Sequence, residues 1–267
     1  MFYFVSTPIG NLKDITLRAL DTLKEVDVIA CEDTRTSLKL LNFYGIKKPL
    51  VAYHKFNERT SAEGLIALHE QGKSVAIITD AGTPVISDPG NVLTEMLIER
   101  GIPFTVVPGA TAFTSALILS GMDASRFAFI GFLPEKKKDA KEVLEKYKDL
   151  DMTLIFYSAP HDLKKNLELL YSVFGDRKAA TVKEITKMFE KTVRLSLSDY
   201  EAVEEPKGEY VIVVEGGKGK LSDFTELSVE EHLSKYLDEG MDKKEAIKLV
   251  AKERGIPKNE VYKFTIK

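Results

Sequence analysis

The chain has few of the residues that build covalent or metal-based scaffolds. Its 267 residues include one cysteine, four histidines and no tryptophan. A single cysteine excludes an intrachain disulfide and a cysteine-based zinc site, and the histidines do not have metal-ligand spacing. We therefore expect no metal, and we interpret Cys31 as a small core residue that ends the apolar run Val26–Ala30.

Long hydrophobic runs and an excess of one charge are also missing. No apolar stretch approaches the roughly 20 residues that a membrane-spanning helix needs. The N-terminal MFYFVSTPIGN lacks the basic region and long apolar core of a signal peptide, so we expect a cytoplasmic protein. A net charge of −3 argues against bulk, sequence-blind DNA coating, although local basic patches are still compatible with nucleic acid.

Short apolar runs alternate with helical patterns, and this alternation predicts an α/β fold with largely parallel sheets. Glycines at 72, 101 and 175 each follow a periodic segment and predict helix ends. The predicted strands are Phe2–Ser6, Val26–Cys31, Ser74–Thr79, Pro103–Val107, Arg126–Phe132, Met152–Ser158, Ala179–Glu184, Thr192–Ser196 and Tyr210–Glu215.

Two changes in pattern divide the chain. The segment 119–125 interrupts the strand–helix rhythm, and the glycine-rich segment 216–220 precedes a purely helical pattern. We predict an N-terminal α/β lobe over 1–120, a C-terminal α/β lobe over 121–218 and a small helical tail over 222–267. Residues 241–267 carry a net charge of +4, which fits either a solvated helix surface or an appendage that touches phosphates.

Three loops rich in small residues follow predicted strands directly: Ser6–Asn11, Thr79–Gly90 and Pro108–Ala112. Ligands of open parallel sheets bind outside the carboxyl ends of the strands, so the loops predict a groove there. The chain has neither a dinucleotide-binding nor a P-loop glycine motif. The loops contain little lysine or arginine, which favours an adenosine-type ligand without phosphates. The alternative is that they are ordinary tight turns.

Charged residues follow two further strands. The segment Glu32–Arg35 places two acids and an arginine after a strand, although Asp33 is equally suited to cap a helix. The segment Lys183–Lys187 is similar, with surface charge as its alternative interpretation. We keep Asp33, Arg35, Glu184 and Lys187 as candidate catalytic residues.

Eight motifs appear in order over residues 1–216: TPIGNL, EDTR, DAGTPVISDPG, PGATA, GFLP, TLIFY, KEITK and KGEYVIVVEG. In this combination the chain resembles the tetrapyrrole methylase superfamily and, within it, the ribosomal small-subunit RNA methyltransferase I family. The resemblance implies two α/β lobes of that type with S-adenosylmethionine in the cleft between them, usually in a homodimer. It also implies 2′-O-methylation of a cytidine ribose in small-subunit (16S) ribosomal RNA.

Carried over by motif, the resemblance implies a set of cofactor-binding residues. They are Pro8, Ala81, Gly82, Thr83, Ile86, Thr111, Ala112 and Ser158. The chain departs from the family pattern at Ser158, where a glutamate is common, and at Asp162, where an arginine is common.

Ribose methylation needs aligned reactants and a group that assists the weak hydroxyl nucleophile. Asp33, Glu184 and Lys187 are the candidates for that group, and Arg35 is the candidate phosphate anchor. Two other functions stay open: methylation of a cobalamin precursor, and RNA binding without catalysis. The first needs no basic tail, and the second would follow from the changes at Ser158 and Asp162.

Overall fold

The computed structural model describes residues 1–54, 57–203, 207–217 and 227–264. Its strands are β1 (Phe2–Val5), β2 (Val28–Cys31), β3 (Leu50–Ala52), β4 (Val75–Ile78), β5 (Phe104–Val107), β6 (Phe127–Phe132), β7 (Thr153–Ser158), β8 (Lys178–Lys183), β9 (Lys191–Ser196) and β10 (Tyr210–Val214). Its α-helices are α1 (Leu17–Glu25), α2 (Thr34–Phe43), α3 (Glu58–Glu70), α4 (Asn91–Glu99), α5 (Ala112–Ser120), α6 (Lys137–Glu145), α7 (Leu163–Phe174), α8 (Val229–Asp238), α9 (Lys243–Arg254) and α10 (Lys258–Lys263).

The first sheet has the order β3-β2-β4-β1-β5, and all of its pairings are parallel. Every residue of β2 and β4 is buried, because crossover helices cover both faces of the sheet. A separate hydrophobic cluster lies on each face. The sequence analysis missed β3, a half-buried edge strand of three residues that is too short to show a periodic pattern.

The second sheet corrects the expectation of largely parallel pairing. Its order is β6-β7-β10-β8-β9, and only β6 and β7 pair in parallel. The connection from β8 to β9 is residues 184–190, and a parallel crossover needs about a dozen residues or more. These two strands therefore form an antiparallel pair.

Helices from both parts of the chain cover the second sheet. Helices α6 and α7 pack with a large apolar cluster on one face. Helix α5, which follows directly from the first sheet, packs on the other face against β7, β8 and β10. This helix joins the two sheets through a shared core, so the strand ends of both sheets face a common space.

The described part of the tail has its own small core. Leu233, Ala246, Val250 and Val261 are buried between α8, α9 and α10. A capping box starts α8, with Ser228 and Glu231 bonded to each other's backbone N–H groups. The three helices α8, α9 and α10 lie within the range predicted to be a helical tail; residues 218–226 and 265–267 lie outside the described residues. No helix in the described ranges is long and apolar enough to cross a membrane.

Candidate functional site

A cavity of about 400 Å³ lies between the two sheets, at the carboxyl ends of several strands. This volume is within the range of about 300–1,000 Å³ that is usual for small-molecule sites. The first lobe contributes residues 79–83, 86–88, 111 and 112 to its wall, together with Ile9. The second lobe contributes Phe132, the end of β7 with residues 159–160, and the start of β10 with Glu209. It also contributes Val182, Glu184, Ile185 and Lys187.

The three small-residue loops of the first lobe are in contact with one another. Thr7 and Gly82 exchange backbone hydrogen bonds of 2.8 and 3.2 Å. The hydroxyl of Thr83 lies 2.9 Å from that of Ser6 and 3.3 Å from the Ala110 carbonyl, which it donates to. A single hydroxyl therefore joins all three loops, and the hollow that they share is open rather than filled by side chains.

Close approach of the loops depends on a missing side chain. A Cβ added to Gly109 would lie 2.8 Å from Cβ of Ser6, closer than real Cβ atoms approach one another. The third loop can therefore approach the first only with glycine at this position.

Strained backbone is concentrated in two wall segments. Among the described residues, the non-glycine positions with positive φ are Val85, Ser87, Glu184 and Thr186. A β-branched residue such as Val85, at φ 78°, is a genuine outlier for this region. Strain of this kind persists only when neighbouring contacts enforce it, and it gathers at ligand sites.

The contacts that hold the first of these segments converge on Glu58. Its Oε1 accepts hydrogen bonds from the backbone N–H groups of Gly90 at 2.6 Å and Val92 at 3.3 Å. The hydroxyl of Tyr53 donates to the same oxygen at 3.0 Å. Burial and the nearby Glu58 carboxylate raise the pKa of Tyr53, so its hydroxyl stays a donor. Glu58 thus fixes the point where the 79–90 loop enters α4.

Seven of the eight residues predicted to bind a cofactor line the cavity: Ala81, Gly82, Thr83, Ile86, Thr111, Ala112 and Ser158. Pro8 does not, although its neighbour Ile9 does. The Ser158 hydroxyl donates to the Ala159 carbonyl at 3.1 Å and accepts from Asn166 at 3.0 Å. The role of the eight predicted residues as cofactor ligands stays a prediction.

Two of the four candidate catalytic residues, Glu184 and Lys187, line the cavity and form an ion pair. The Lys187 ammonium lies 3.0 Å from Glu184 and 3.1 Å from Glu209. Burial alone would raise the pKa of Glu184, but the Glu209 backbone N–H and Lys187 outweigh it and lower the pKa. Burial alone would lower the pKa of Lys187, but the two carboxylates outweigh it and raise the pKa.

Contacts from the first lobe hold this ion pair in place. A Cβ on Gly10 would lie 2.5 Å from Cγ of Lys187, so the first loop packs directly on the lysine stem. The backbone N–H of Asn11 donates to the Thr186 hydroxyl at 3.1 Å. Lys187 is therefore a positioned cation in the wall, protonated at neutral pH.

The other two candidates, Asp33 and Arg35, are not among the residues that line the cavity. The Asp33 carboxylate caps α2 by accepting from the Arg35 backbone N–H at 2.8 Å, and it pairs with the Arg35 guanidinium at 2.9 Å. These contacts lower the pKa of Asp33 to about 2, which makes it a weak base. The observed geometry thus matches the capping alternative raised in the sequence analysis.

Other lining residues were not singled out from the sequence: Asp80, Asp88, Phe132, Tyr157 and Glu209. Asp80 lies two residues after the end of β4, and its carboxylate accepts from the Asp33 backbone N–H at 3.3 Å. Burial and the nearby Asp33 raise the pKa of Asp80. The DAGTPVISDPG motif contains both aspartates, so an acid beside each tight turn was the signal that could have marked them.

The cavity wall has an unusual charge pattern. Among the residues that the structure describes, Lys187 is the only lysine or arginine in the wall, against the carboxylates of Asp80, Asp88, Glu184 and Glu209. No group of three or more His, Cys, Asp or Glu side chains in the described ranges is placed to hold a metal ion. The wall therefore suits a ligand that is neutral or positively charged, rather than one with phosphates.

Comparisons with known proteins agree with this geometry. Residues 1–201 match the family model described as Tetrapyrrole (Corrin/Porphyrin) Methylases, so the chain is a member of the tetrapyrrole methylases. The chain is 42% identical over 270 residues to "Ribosomal RNA small subunit methyltransferase I" of Bacillus subtilis (strain 168), covering 98% of this chain and 92% of that protein. The chain belongs to the ribosomal RNA small subunit methyltransferase I family.

A shorter relative bears the same name. The protein of Coprothermobacter proteolyticus is 44% identical over 214 residues, which cover 97% of that protein but only 80% of this chain. Among solved structures, that of diphthine synthase has a TM-score of 0.65 at 17% identity, covering 80% of this chain and 89% of that one. This likeness shows the fold alone.

Proposed function

We propose that this protein transfers a methyl group from S-adenosylmethionine to the 2′-oxygen of a cytidine ribose in small-subunit (16S) ribosomal RNA. The observation that carries the proposal is the interlobe cavity, with its small-residue loops and its largely acidic wall. The names of the relatives supply the RNA class.

The cavity wall fits the proposed cofactor. The slim residues Ala81, Gly82, Thr111 and Ala112 leave room for backbone to approach a nucleoside closely. S-adenosylmethionine carries a sulfonium and an ammonium group, and the Asp80 carboxylate offers a complementary negative charge. A ligand with phosphates would meet several carboxylates and a single ammonium, which is unfavourable.

The proposed reaction needs two things from the protein: alignment of the ribose oxygen with the methyl carbon, and stabilisation of the charge on that oxygen. The bound cofactor supplies a methyl group that its sulfonium makes electrophilic. The protein holds the ribose oxygen in line with that carbon, which alone can remove a large part of the barrier. The O–CH₃ bond forms as the S–CH₃ bond breaks, and the hydroxyl proton leaves to a carboxylate of the wall or to water.

Lys187 and Glu184 have distinct parts in this scheme. Because its pKa is raised, Lys187 acts as a fixed cation that stabilises negative charge on the ribose oxygen. Glu184 accepts from Lys187 and from the Glu209 backbone, and so holds the ammonium in the wall. Asp33 and Arg35 act indirectly in this proposal, by fixing the start of α2 beside Asp80.

We propose that the basic tail adds phosphate contacts to a surface provided by the lobes. Lysines of α9 and α10 are exposed, and the sequence over 241–267 has a net charge of +4. The alignment with the shorter relative leaves a fifth of this chain unmatched, and this share corresponds in length to the tail. Deleting residues 222–267 should weaken binding to small ribosomal subunits and leave cofactor binding intact; unchanged subunit affinity would contradict this role.

The same proposal includes a homodimer that works in the cytoplasm, where small subunits are substrates. Large apolar side chains stay exposed on the single chain, among them Leu17 at 81% and Ile118 at 77%. Exposed apolar side chains of this size are suited to a surface that a second copy covers. Light scattering on the purified protein tests this, and a monomer at micromolar concentration would contradict it.

One experiment tests the substrate class. Labelled S-adenosylmethionine is incubated with the protein and either unmodified small ribosomal subunits or free tetrapyrrole precursors. We expect label in the ribosomal RNA, at a ribose that resists alkaline cleavage of the adjacent phosphodiester. Label that enters only the tetrapyrrole would replace the proposal with cobalamin-precursor methylation. No cofactor binding in calorimetry would favour RNA binding without catalysis.

A further inference from the structure

The loop that joins β8 to β9, residues 184–190, is tightly braced at its base. Its strained residues Glu184 and Thr186 have φ of 49° and 68°. The Thr186 backbone N–H donates to the Glu190 carboxylate at 2.7 Å, and the Lys187 N–H donates to the Glu184 carbonyl at 3.0 Å. The loop is therefore held in one conformation before any ligand arrives.

This braced loop carries two large apolar side chains at its tip. Met188 is 90% exposed and Phe189 is 73% exposed. In the described part of the chain, the Phe189 ring makes no contact with another ring. Met188 directly follows Lys187, which lines the cavity, and Phe189 comes next, so the tip adjoins the cavity wall along the chain. A rigid loop that presents a bare aromatic ring there is suited to contact a substrate.

Two lysines flank the base of the loop. Lys183 ends β8 and Lys191 begins β9, and the two are directly opposite each other in the antiparallel register. Like charges directly opposite each other destabilise a strand pair, so a bound phosphate would relieve this repulsion. Both line a depression of about 280 Å³ that is separate from the cavity and also contains Asp199. An aromatic ring with cations at its base matches the chemistry that holds unpaired nucleotides, because bases stack on the ring and phosphates pair with the lysines.

The length of one relative bears on which part of the chain contacts RNA. The shorter relative carries the same name as the full-length one without matching a fifth of this chain. The 214 matched residues correspond in length to the two lobes, so we infer that the lobes offer a surface for the RNA without the tail. The 184–190 loop belongs to the second lobe.

We propose that the Met188–Phe189 tip is the platform on which an unpaired base of the ribosomal RNA stacks, next to the nucleotide whose ribose enters the cavity. Lys183 and Lys191 contact the phosphates on either side of that base. This inference rests on the proposed function and deepens it, because it assigns the RNA-contacting residues of the same site.

The test uses four variants of the full-length protein: Phe189→Ala, Phe189→Leu, Phe189→Trp and the control Ile98→Ala. Ile98 is 66% exposed on α4 and lines neither cavity, so its truncation reports on the loss of exposed apolar surface alone. Each variant is measured for cofactor Kd by calorimetry, for affinity to unmodified small subunits by filter binding, and for oligomeric state by light scattering.

Base–aromatic stacking predicts a specific order of effects. Phe189→Ala should weaken subunit binding by about 5- to 100-fold. Phe189→Leu should weaken subunit binding nearly as much, because leucine keeps the apolar area but cannot stack. Phe189→Trp should keep the affinity of the unmodified chain, because tryptophan can stack. Cofactor Kd and oligomeric state should be unchanged in all four, and Ile98→Ala should match the unmodified chain.

Three outcomes would overturn the inference. If Phe189→Ala binds small subunits as tightly as the unmodified chain does, Phe189 does not contact the RNA. Full subunit affinity in Phe189→Leu together with dissociation of Phe189→Ala into monomers assigns the tip to an interface with a second copy. A shift in cofactor Kd assigns it to the cofactor site. An unmodified chain that fails to methylate small subunits contradicts the proposed function instead, so the two failures are distinguishable.

A second measurement addresses the lysines. Lys183→Ala and Lys191→Ala should each reduce the slope of log affinity against log salt by about 0.7, the value for one phosphate contact on a single strand. An unchanged slope in both variants would overturn the phosphate assignment while leaving the stacking result intact.

Discussion

The hydroxyl of Thr83 joins all three loops of the first lobe, and its removal should have a cost that depends on its partner. Thr83 donates to the Ala110 carbonyl, so the Ser6 hydroxyl is the donor in the Ser6–Thr83 hydrogen bond. Ser6 is buried, with 2% of its surface exposed. Thr83→Val keeps the shape of the side chain but leaves the Ser6 hydroxyl without its acceptor and the Ala110 carbonyl without this donor.

The expected magnitudes follow from which groups lose a partner. A buried polar group left unsatisfied costs about 1–3 kcal/mol, so Thr83→Val should lower the free energy of unfolding by about 2 kcal/mol. Ser6→Ala removes one hydrogen bond and leaves Thr83 bonded to Ala110, so it should cost about 1 kcal/mol. In the Thr83→Val background, Ser6→Ala should be neutral or stabilising, because it removes the unsatisfied hydroxyl.

Urea unfolding of the cofactor-free protein measures these differences, and the double-mutant cycle should give a coupling of about 1 kcal/mol. Thr94→Val is the matched control, because Thr94 makes its hydrogen bond on the exposed surface of α4. It should change stability by about 0.5 kcal/mol or less. Additive losses in the double variant, or a larger loss for Ser6→Ala than for Thr83→Val, would refute the arrangement of donors described above.

Three further predictions concern charged groups. Lys187→Met should lower kcat by about 100-fold or more in methylation of small subunits, since it removes the fixed cation of the wall, whereas Glu209→Gln should have a far smaller effect; equal losses would argue against that role. Asp33→Asn keeps a helix cap and should retain kcat within a few-fold, and a loss above about 100-fold would assign Asp33 to catalysis. Burial and Arg254 lower the pKa of His232 from 6.5, so the unfolded tail takes up a proton first as the pH falls. The stability of the tail should not change with pH well above pH 6.5 and should fall as the pH drops below that value. Hydrogen exchange of α8 and α9 measures this stability, and amide protection that does not fall below pH 6.5 would exclude the mechanism.

The fold was largely predictable from the sequence because most strands carry unbroken apolar runs. Strands β2 and β4 are buried on both faces, so their sequences VIAC and VAII stand out without any alternation. The pairing direction in the second sheet was not predictable in this way. It depends on the length of the connection between β8 and β9, and the apolar pattern of a strand does not record the direction of its neighbour.

The site was predictable in part. Loops of small residues after strands mark where a ligand can approach, and Ala81, Thr83 and Thr111 do line the cavity. Asp80 was missed because an aspartate beside a tight turn is also an ordinary turn residue. Phe132 was missed because the sequence does not show that a bulge between Phe129 and Gly131 shifts the register at the end of β6.

The backbone of Val85 shows how core packing can hold a strained segment next to the ligand cavity. A valine at φ 78° stores roughly 1–3 kcal/mol, and the missing side chain of Gly90 makes room for it, since an added Cβ there would lie 2.6 Å from Cγ2 of Val85. Val85→Gly would release that energy but would also remove a side chain that packs against a core of the first lobe, so the two effects on stability oppose each other. It would also free the backbone next to Ile86 and Ser87, which line the cavity, so ligand binding should weaken even where stability is unchanged.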